Sequence, residues 1–185
     1  RRRNLQTRIV RSWLLSVRST LRNTGWPQWK GKNEMPKTTV LLERRRIFDK
    51  AVREKTYGRM RMALYQLAPS LVVQSTILNG RLMGCYDAQL EAITIDRSMT
   101  LDDKKCALIH ELGHWVFDDD SRPPYGAKRE RATRKLTAST LIRADDYRQA
   151  EQAYEGDTYL MANDLGVNPD ITLDYQKLAI PTLIG

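Results

Sequence analysis

Apolar and polar positions change period several times along the chain, and each change marks an element. From about residue 41 to 66 the apolar residues Ile47, Ala51, Tyr57, Met60, Ala63 and Leu64 recur at helical spacing. The pattern predicts one helix over about 42–66, its second half packed on a core and its first half, with Arg44-Arg45-Arg46, exposed. Leu71-Val72-Val73-Gln74-Ser75-Thr76-Ile77 is a short, β-branched run of strand type. Asn79-Gly80 then reads as a tight hairpin turn, and strands around 82–86 and 92–96 complete a small antiparallel sheet. Thr100-Leu101-Asp102-Asp103 has the form of a capping box, with acids in the first turn of the helix that follows. Leu101, Ala107, Leu108, Ile109, Leu112, Trp115 and Val116 give that helix a broad apolar surface over about 101–117. Asp118-Asp119-Asp120 and Pro123-Pro124 end it. Further helices are predicted near 127–143, 145–154 and 157–166, with a short terminal one. The expected class is α+β: a small antiparallel twisted sheet beside the 101–117 helix in a mostly helical chain.

That helix also carries the most telling chemistry. The two histidines of the whole sequence, His110 and His114, lie in Ile109-His110-Glu111-Leu112-Gly113-His114-Trp115, an H-E-x-x-H pattern. A spacing of four puts both imidazoles on one helix face, one turn apart, where they can share one Zn²⁺. Glu111 between them is placed to act as general base on a water at the metal. Gly113 costs the helix up to ~1 kcal/mol relative to Ala. Either a backbone approaches the metal there or a neighbouring helix packs closely. A catalytic zinc uses three protein ligands and keeps one position open. With no third histidine, and cysteines only at Cys85 and Cys106, the third ligand should be an acid. Glu130, early in the next predicted helix, is the leading candidate, with Asp118, Asp119, Asp145 and Asp146 still open. Tyr125 and Tyr147 are weaker candidates for stabilising an oxyanion.

Three passages resemble the ImmA/IrrE family of metallo-endopeptidases, in versions carried by phages and mobile elements. Gly84-Cys85-Tyr86-Asp87, Ala92-Ile93-Thr94-Ile95-Asp96 and Thr100-Leu101-Asp102-Asp103 are similar to the family's short hairpin and its lead into the metal-binding helix. The H-E-x-x-H motif is the second passage. The third, from Glu130-Arg131-Ala132-Thr133-Arg134 to Leu141-Ile142, is similar to the family pattern E-R-x-A-D-x-W-A-A-x-x-L-I. The resemblance covers about residues 64–178 and implies that Glu130 is the third metal ligand. Thr133 stands where the family has Ala, and Arg134 where it usually has Asp. Met161-Ala162-Asn163-Asp164-Leu165-Gly166-Val167-Asn168-Pro169 is similar to the family's terminal helix pair. It could also read as a helix-turn-helix, but the acids Asp170 and Asp174 after the turn suit packing on the core better than contact with phosphates.

Charge divides the chain. Residues 1–60 hold 17 Lys/Arg against four Asp/Glu, a balance of +13, and residues 61–185 hold 14 against 18, a balance of −4. The region 1–22 can form a basic amphipathic helix around Leu5, Ile9, Trp13 and Val17, and 23–33 reads as linker. Residues 1–60 are therefore the candidate contact for nucleic acid. Met35-Pro36-Lys37 would serve as a translation start, so the expected division is a basic arm or non-native leader at 1–34 and a metallopeptidase-like domain at 35–185. No apolar run approaches a membrane span. Two cysteines 21 positions apart give no disulfide framework and fit a reducing cytoplasm.

These features lead to an expected function. It is a zinc endopeptidase with one Zn²⁺ per chain on His110, His114 and Glu130, and Glu111 as the catalytic residue. The resemblance implies a helix-turn-helix repressor of a phage or mobile element as substrate. The competing expectation is a non-proteolytic anti-repressor, or a nucleic-acid-binding regulator, on the same scaffold.

Overall fold

A computed structural model describes residues 36–80, 82–118 and 126–181. The expected helix at 1–22 and linker at 23–33 lie outside the described residues. The expected class, α+β, is what the structure shows: among the described residues there are seven α-helices and a three-stranded sheet.

The long helix expected over 42–66 is two helices. The first, α1 (Lys37–Ala51), buries Ile47, Phe48 and Ala51. The second, α2 (Tyr57–Leu67), buries Tyr57, Met60 and Leu64. Thr56 breaks the run. Its backbone is extended, and its hydroxyl accepts a hydrogen bond from the Arg59 N–H at 3.3 Å, so it caps α2; a cap of this kind contributes about 1 kcal/mol. The first half of α1 is not simply exposed either. Arg44 donates to the Trp115 carbonyl at 2.9 Å, to Asp118 at 3.0 Å and to Glu91 at 3.2 Å.

Strands β1 (Val72–Thr76), β2 (Gly84–Asp87) and β3 (Ala92–Asp96) form a sheet in the order β1-β3-β2. The sheet is mixed, where an antiparallel one was expected. β2 pairs antiparallel with β3, Gly84 opposite Ile95, but β1 pairs parallel with β3, Val72 opposite Ala92. Asn79-Gly80 is thus a turn, Gly80 at φ 78°, without being the tip of a hairpin. The hairpin is β2–β3, where the Asp87 carboxylate accepts from the Gln89 and Leu90 N–H groups and Glu91 takes φ 50°. Burial explains the order. All five residues of β3 are buried, so it takes the centre, while β1 and β2 are partly exposed and take the edges.

Helix α3 (Leu101–Phe117) follows the expected bounds. The Thr100 hydroxyl accepts from the Asp103 N–H at 3.2 Å, and Asp118 closes the other end in the left-handed region at φ 51°. Leu101, read as part of the apolar face, is exposed. Helix α4 (Gly126–Leu141) packs along α3, and α5 (Ala144–Ala153), α6 (Thr158–Leu165) and α7 (Pro169–Asp174) follow, α7 running on as a wide π-helical turn over Tyr175–Ala179. The acids Asp170 and Asp174 sit in a helix packed on α4, which is the core-packing alternative for this segment.

Two apolar clusters form the core. One joins α1, α2, the sheet and residues Ala107–Val116 of α3; the other joins Cys106, α4 and the C-terminal helices around Met161, Ala162 and Tyr175. Helix α3 runs between them, which is why it is buried on nearly every side.

Candidate metal centre

His110 and His114 project from the same face of α3 with ring centroids 4.8 Å apart and their Nε2 atoms 3.1 Å apart. Glu130 reaches them from the second turn of α4. Its carboxylate oxygens lie 3.6 Å from His110 Nε2 and 3.2 Å from His114 Nε2. One ligand atom from each residue can be chosen so that all lie within 4.8 Å of one another. Ligands at 2.0–2.1 Å from a tetrahedral zinc stand about 3.3 Å from one another. The observed spacings bracket that value, and two imidazole nitrogens with one carboxylate are a donor set suited to zinc. The histidines hold the Glu130 carboxyl well below the usual carboxylate range, chiefly through hydrogen bonds from His110 and then His114.

Glu111 sits beside this cluster and is buried. Burial pushes its carboxyl above the ordinary value. The nearby histidines and a hydrogen bond from the Tyr86 backbone oppose that rise, while Glu130 adds to it. Two glycines keep the neighbours of this group close. A Cβ at Gly84 on β2 would meet Glu111 Cγ at 3.0 Å and Oε1 at 3.2 Å. A Cβ at Gly113 would meet the Thr133 methyl of α4 at 2.8 Å. Of the two explanations open for Gly113, helix packing is the one the structure displays: α4 approaches α3 there, three residues after Glu130.

The other candidate acids lie elsewhere. Asp118 caps α3 and pairs with Lys37 and Arg44, both at 3.0 Å. Asp145 and Asp146 are exposed on α5 beside Arg148 and Arg143. Asp119 and Tyr125 lie outside the described residues. Tyr147 does not serve the site. It is buried in the second cluster, its ring 5.0 Å from that of Tyr175, and its hydroxyl donates to Glu151 and accepts from Gln176. Neither it nor Tyr175 lines the cleft.

The cleft itself encloses about 430 Å³. His110 and Glu111 form its floor, Leu82, Met83 and Gly84 one wall, and Glu130, Arg134 and Asp174 the other. The sequence reading missed the last feature. Arg134, the departure from the family pattern, makes a two-pronged ion pair with Asp174, a buried acid 40 residues later. An isolated arginine and an isolated aspartate carry no signal of such a pair. Gly84 belongs to a stretch that resembles the family's hairpin, but nothing in the sequence says what it faces.

Comparison with curated proteins found no match. The peptidase family model described as the IrrE N-terminal-like domain matches residues 80–173, which is just over half of the chain and takes in β2, β3 and both helices of the metal cluster. On that match the chain belongs to the ImmA/IrrE family and carries a metallopeptidase-type domain.

Proposed function

We propose that this protein is a zinc endopeptidase. The observation that carries the reading is the meeting of His110, His114 and Glu130 at ligand spacing, with a buried carboxylate, Glu111, adjacent but outside the set. The three would hold one Zn²⁺, and an ion there supplies Lewis acidity to the reacting oxygens. Glu111 takes the proton of the attacking water. The water oxygen bonds to the peptide carbonyl carbon, and when the C–N bond breaks Glu111 returns the proton to the leaving amine. Burial of Glu111 keeps bulk water from competing for that proton. The outer side of β2, an edge strand beside α3, can receive an extended peptide by strand addition.

Family membership supports a protein substrate. The finer reading, a helix-turn-helix repressor of a phage or mobile element cut in the cytoplasm, rests on the resemblance noted in the sequence. In this reading residues 1–34 are an arm outside the catalytic domain. No described helix is long and apolar enough to cross a membrane. A second reading, a regulator that binds nucleic acid without cutting protein, draws on one structural fact. Lys50, Arg53, Lys55 and Arg59 lie exposed around the α1–α2 junction, and among the described residues none has a carboxylate partner.

Glu111→Gln separates the two. The variant should keep its zinc, since Glu111 is not a ligand. Its cleavage of a helix-turn-helix repressor encoded beside it should fall by roughly 10²–10⁴-fold, the share assigned to general-base catalysis. If the wild type and the variant relieve repression equally and neither cuts the repressor, the regulator reading replaces the enzyme.

A further inference from the structure

Among the described residues Arg134 is the one arginine or lysine lining the cleft, and the way it is held is informative. Asp174 is almost wholly buried and takes the Nε and Nη2 donors of the guanidinium. A guanidinium has two forks, a side fork made of Nε with Nη2 and an end fork made of Nη1 with Nη2. Asp174 occupies the side fork. The end fork is left over: among the described residues Nη1 has no hydrogen-bond partner, and the side chain is 46% exposed. The buried acid thus orients the arginine and leaves its second fork for something else.

Position says what that something is. Arg134 follows Glu130 by four residues on α4, so the two lie on one face about 6 Å apart along the axis. An extended peptide advances about 3.3 Å per residue. The fork therefore stands within about two residues of a scissile bond placed at the metal cluster. A planar pair of acceptors is what an end fork fits, and a carboxylate fits it best.

We infer that Arg134 is a specificity-determining residue that receives a substrate carboxylate, from an Asp or Glu side chain near the scissile bond or from a free C-terminus. This deepens the peptidase reading and rests on it. Asp170, exposed on the same wall, works against the ligand through space, because it places a like charge near the fork without bonding to it. The assignment therefore predicts opposite effects for two neighbouring residues.

Binding tests this apart from cleavage. The probes are end-blocked alanine-rich octapeptides with one Asp moved through each position, their Asn counterparts, and one unblocked peptide with a free C-terminus. Each is titrated by fluorescence anisotropy against zinc-loaded protein. The wild type should bind at least one Asp register, or the free terminus, roughly ten- to a hundredfold more tightly than the matching amide, the range of a charge-assisted pair. Arg134→Met should abolish that preference while keeping zinc content and amide-peptide affinity. Arg134→Lys, which keeps the charge and loses the fork, should keep only part of it, and it carries the test if Arg134→Met does not fold. Asp170→Asn should sharpen the preference. Which probe is favoured tells an internal acid from a C-terminus. Equal binding of acid and amide by the wild type, a preference that survives Arg134→Met, or no binding of any probe at millimolar concentration would overturn the assignment. A carboxylate preference in a protein that cleaves nothing would leave the fork standing and remove the peptidase.

Discussion

Glu111 owes its position to the absence of a single methyl group. Gly84 has no Cβ, and a Cβ there would stand 3.0 Å from Glu111 Cγ, tighter than most such contacts, so the glutamate would have to give way. Gly84→Ala should therefore displace the carboxylate by a few tenths of an ångström to an ångström and leave the ligand residues alone. Zinc content should be unchanged while kcat falls by roughly tenfold to a hundredfold, the scale of loss for a misplaced catalytic group. Normal turnover in that variant would show that Glu111 is not held by this contact. Asp118 offers a second test at this scale, through pH. Lys37, and after it Arg44, hold its carboxyl below the ordinary value. A carboxyl depressed in the folded state stabilises the fold at pH values above its unfolded value of about 3.9, and loses that effect as pH falls through the folded value. Asp118→Asn, which still suits the left-handed backbone there, should be less stable than the wild type at pH 7 by at most about 1 kcal/mol, because the pair is partly exposed. The gap between the two proteins in urea titrations should begin to narrow below about pH 4 and close as pH falls further. A gap that does not narrow as pH falls below about 4 would refute the charge explanation.

Between elements, the contact of α3 with α4 sets the distance from Glu130 to the histidines. Gly113 and Thr133 meet there with no spare room, and the Thr133 methyl is on a stiff β-branched side chain. Gly113→Ala should push the helices apart and weaken zinc binding by tenfold or more, although Ala is the better helix former by about 1 kcal/mol. Thr133→Ser removes the obstructing methyl group, and the double variant should recover most of the affinity. If the two changes are additive in zinc titrations, the residues are not coupled. Helix α3 was the most legible element in the sequence, because a capping box, an apolar stripe and the metal motif all lie within it. The break at 52–56 was not legible, since no Gly or Pro interrupts the helical pattern and the Thr56 cap works only once the chain has turned. The sheet order was misread for a related reason. Asn79-Gly80 is a local signal, whereas the pairing of β1 with β3 is a contact across 20 residues, decided by which strand can be buried on both faces. Glu130 was singled out through family resemblance; spacing alone left four aspartates in contention.

For the molecule as a whole, the metal cluster joins α3 to α4, and ligands drawn from two helices come together only in the folded chain. Zinc should therefore stabilise the native state by mass action, by about 2.7 kcal/mol at a hundredfold excess over Kd. For a domain of this size that corresponds to a rise in Tm of roughly 5–10 °C. Stripping the protein with a chelator should lower Tm by that amount in a scanning calorimeter, and Glu130→Ala should remove most of the zinc-dependent rise. A Tm indifferent to zinc would mean that the three residues do not form a site.

The pair of Arg134 and Asp174 also has a meaning in time. A ribosome adds about 5–20 residues per second, so some 2–8 s separate the synthesis of Arg134 from that of its partner. The histidines and Glu130 are made first, and the wall that narrows the cleft is finished only when α7 emerges and docks. A nascent chain thus holds His110, His114 and Glu130 before it holds the Arg134–Asp174 pair, and the order of residues alone makes that pair the later feature of the cleft.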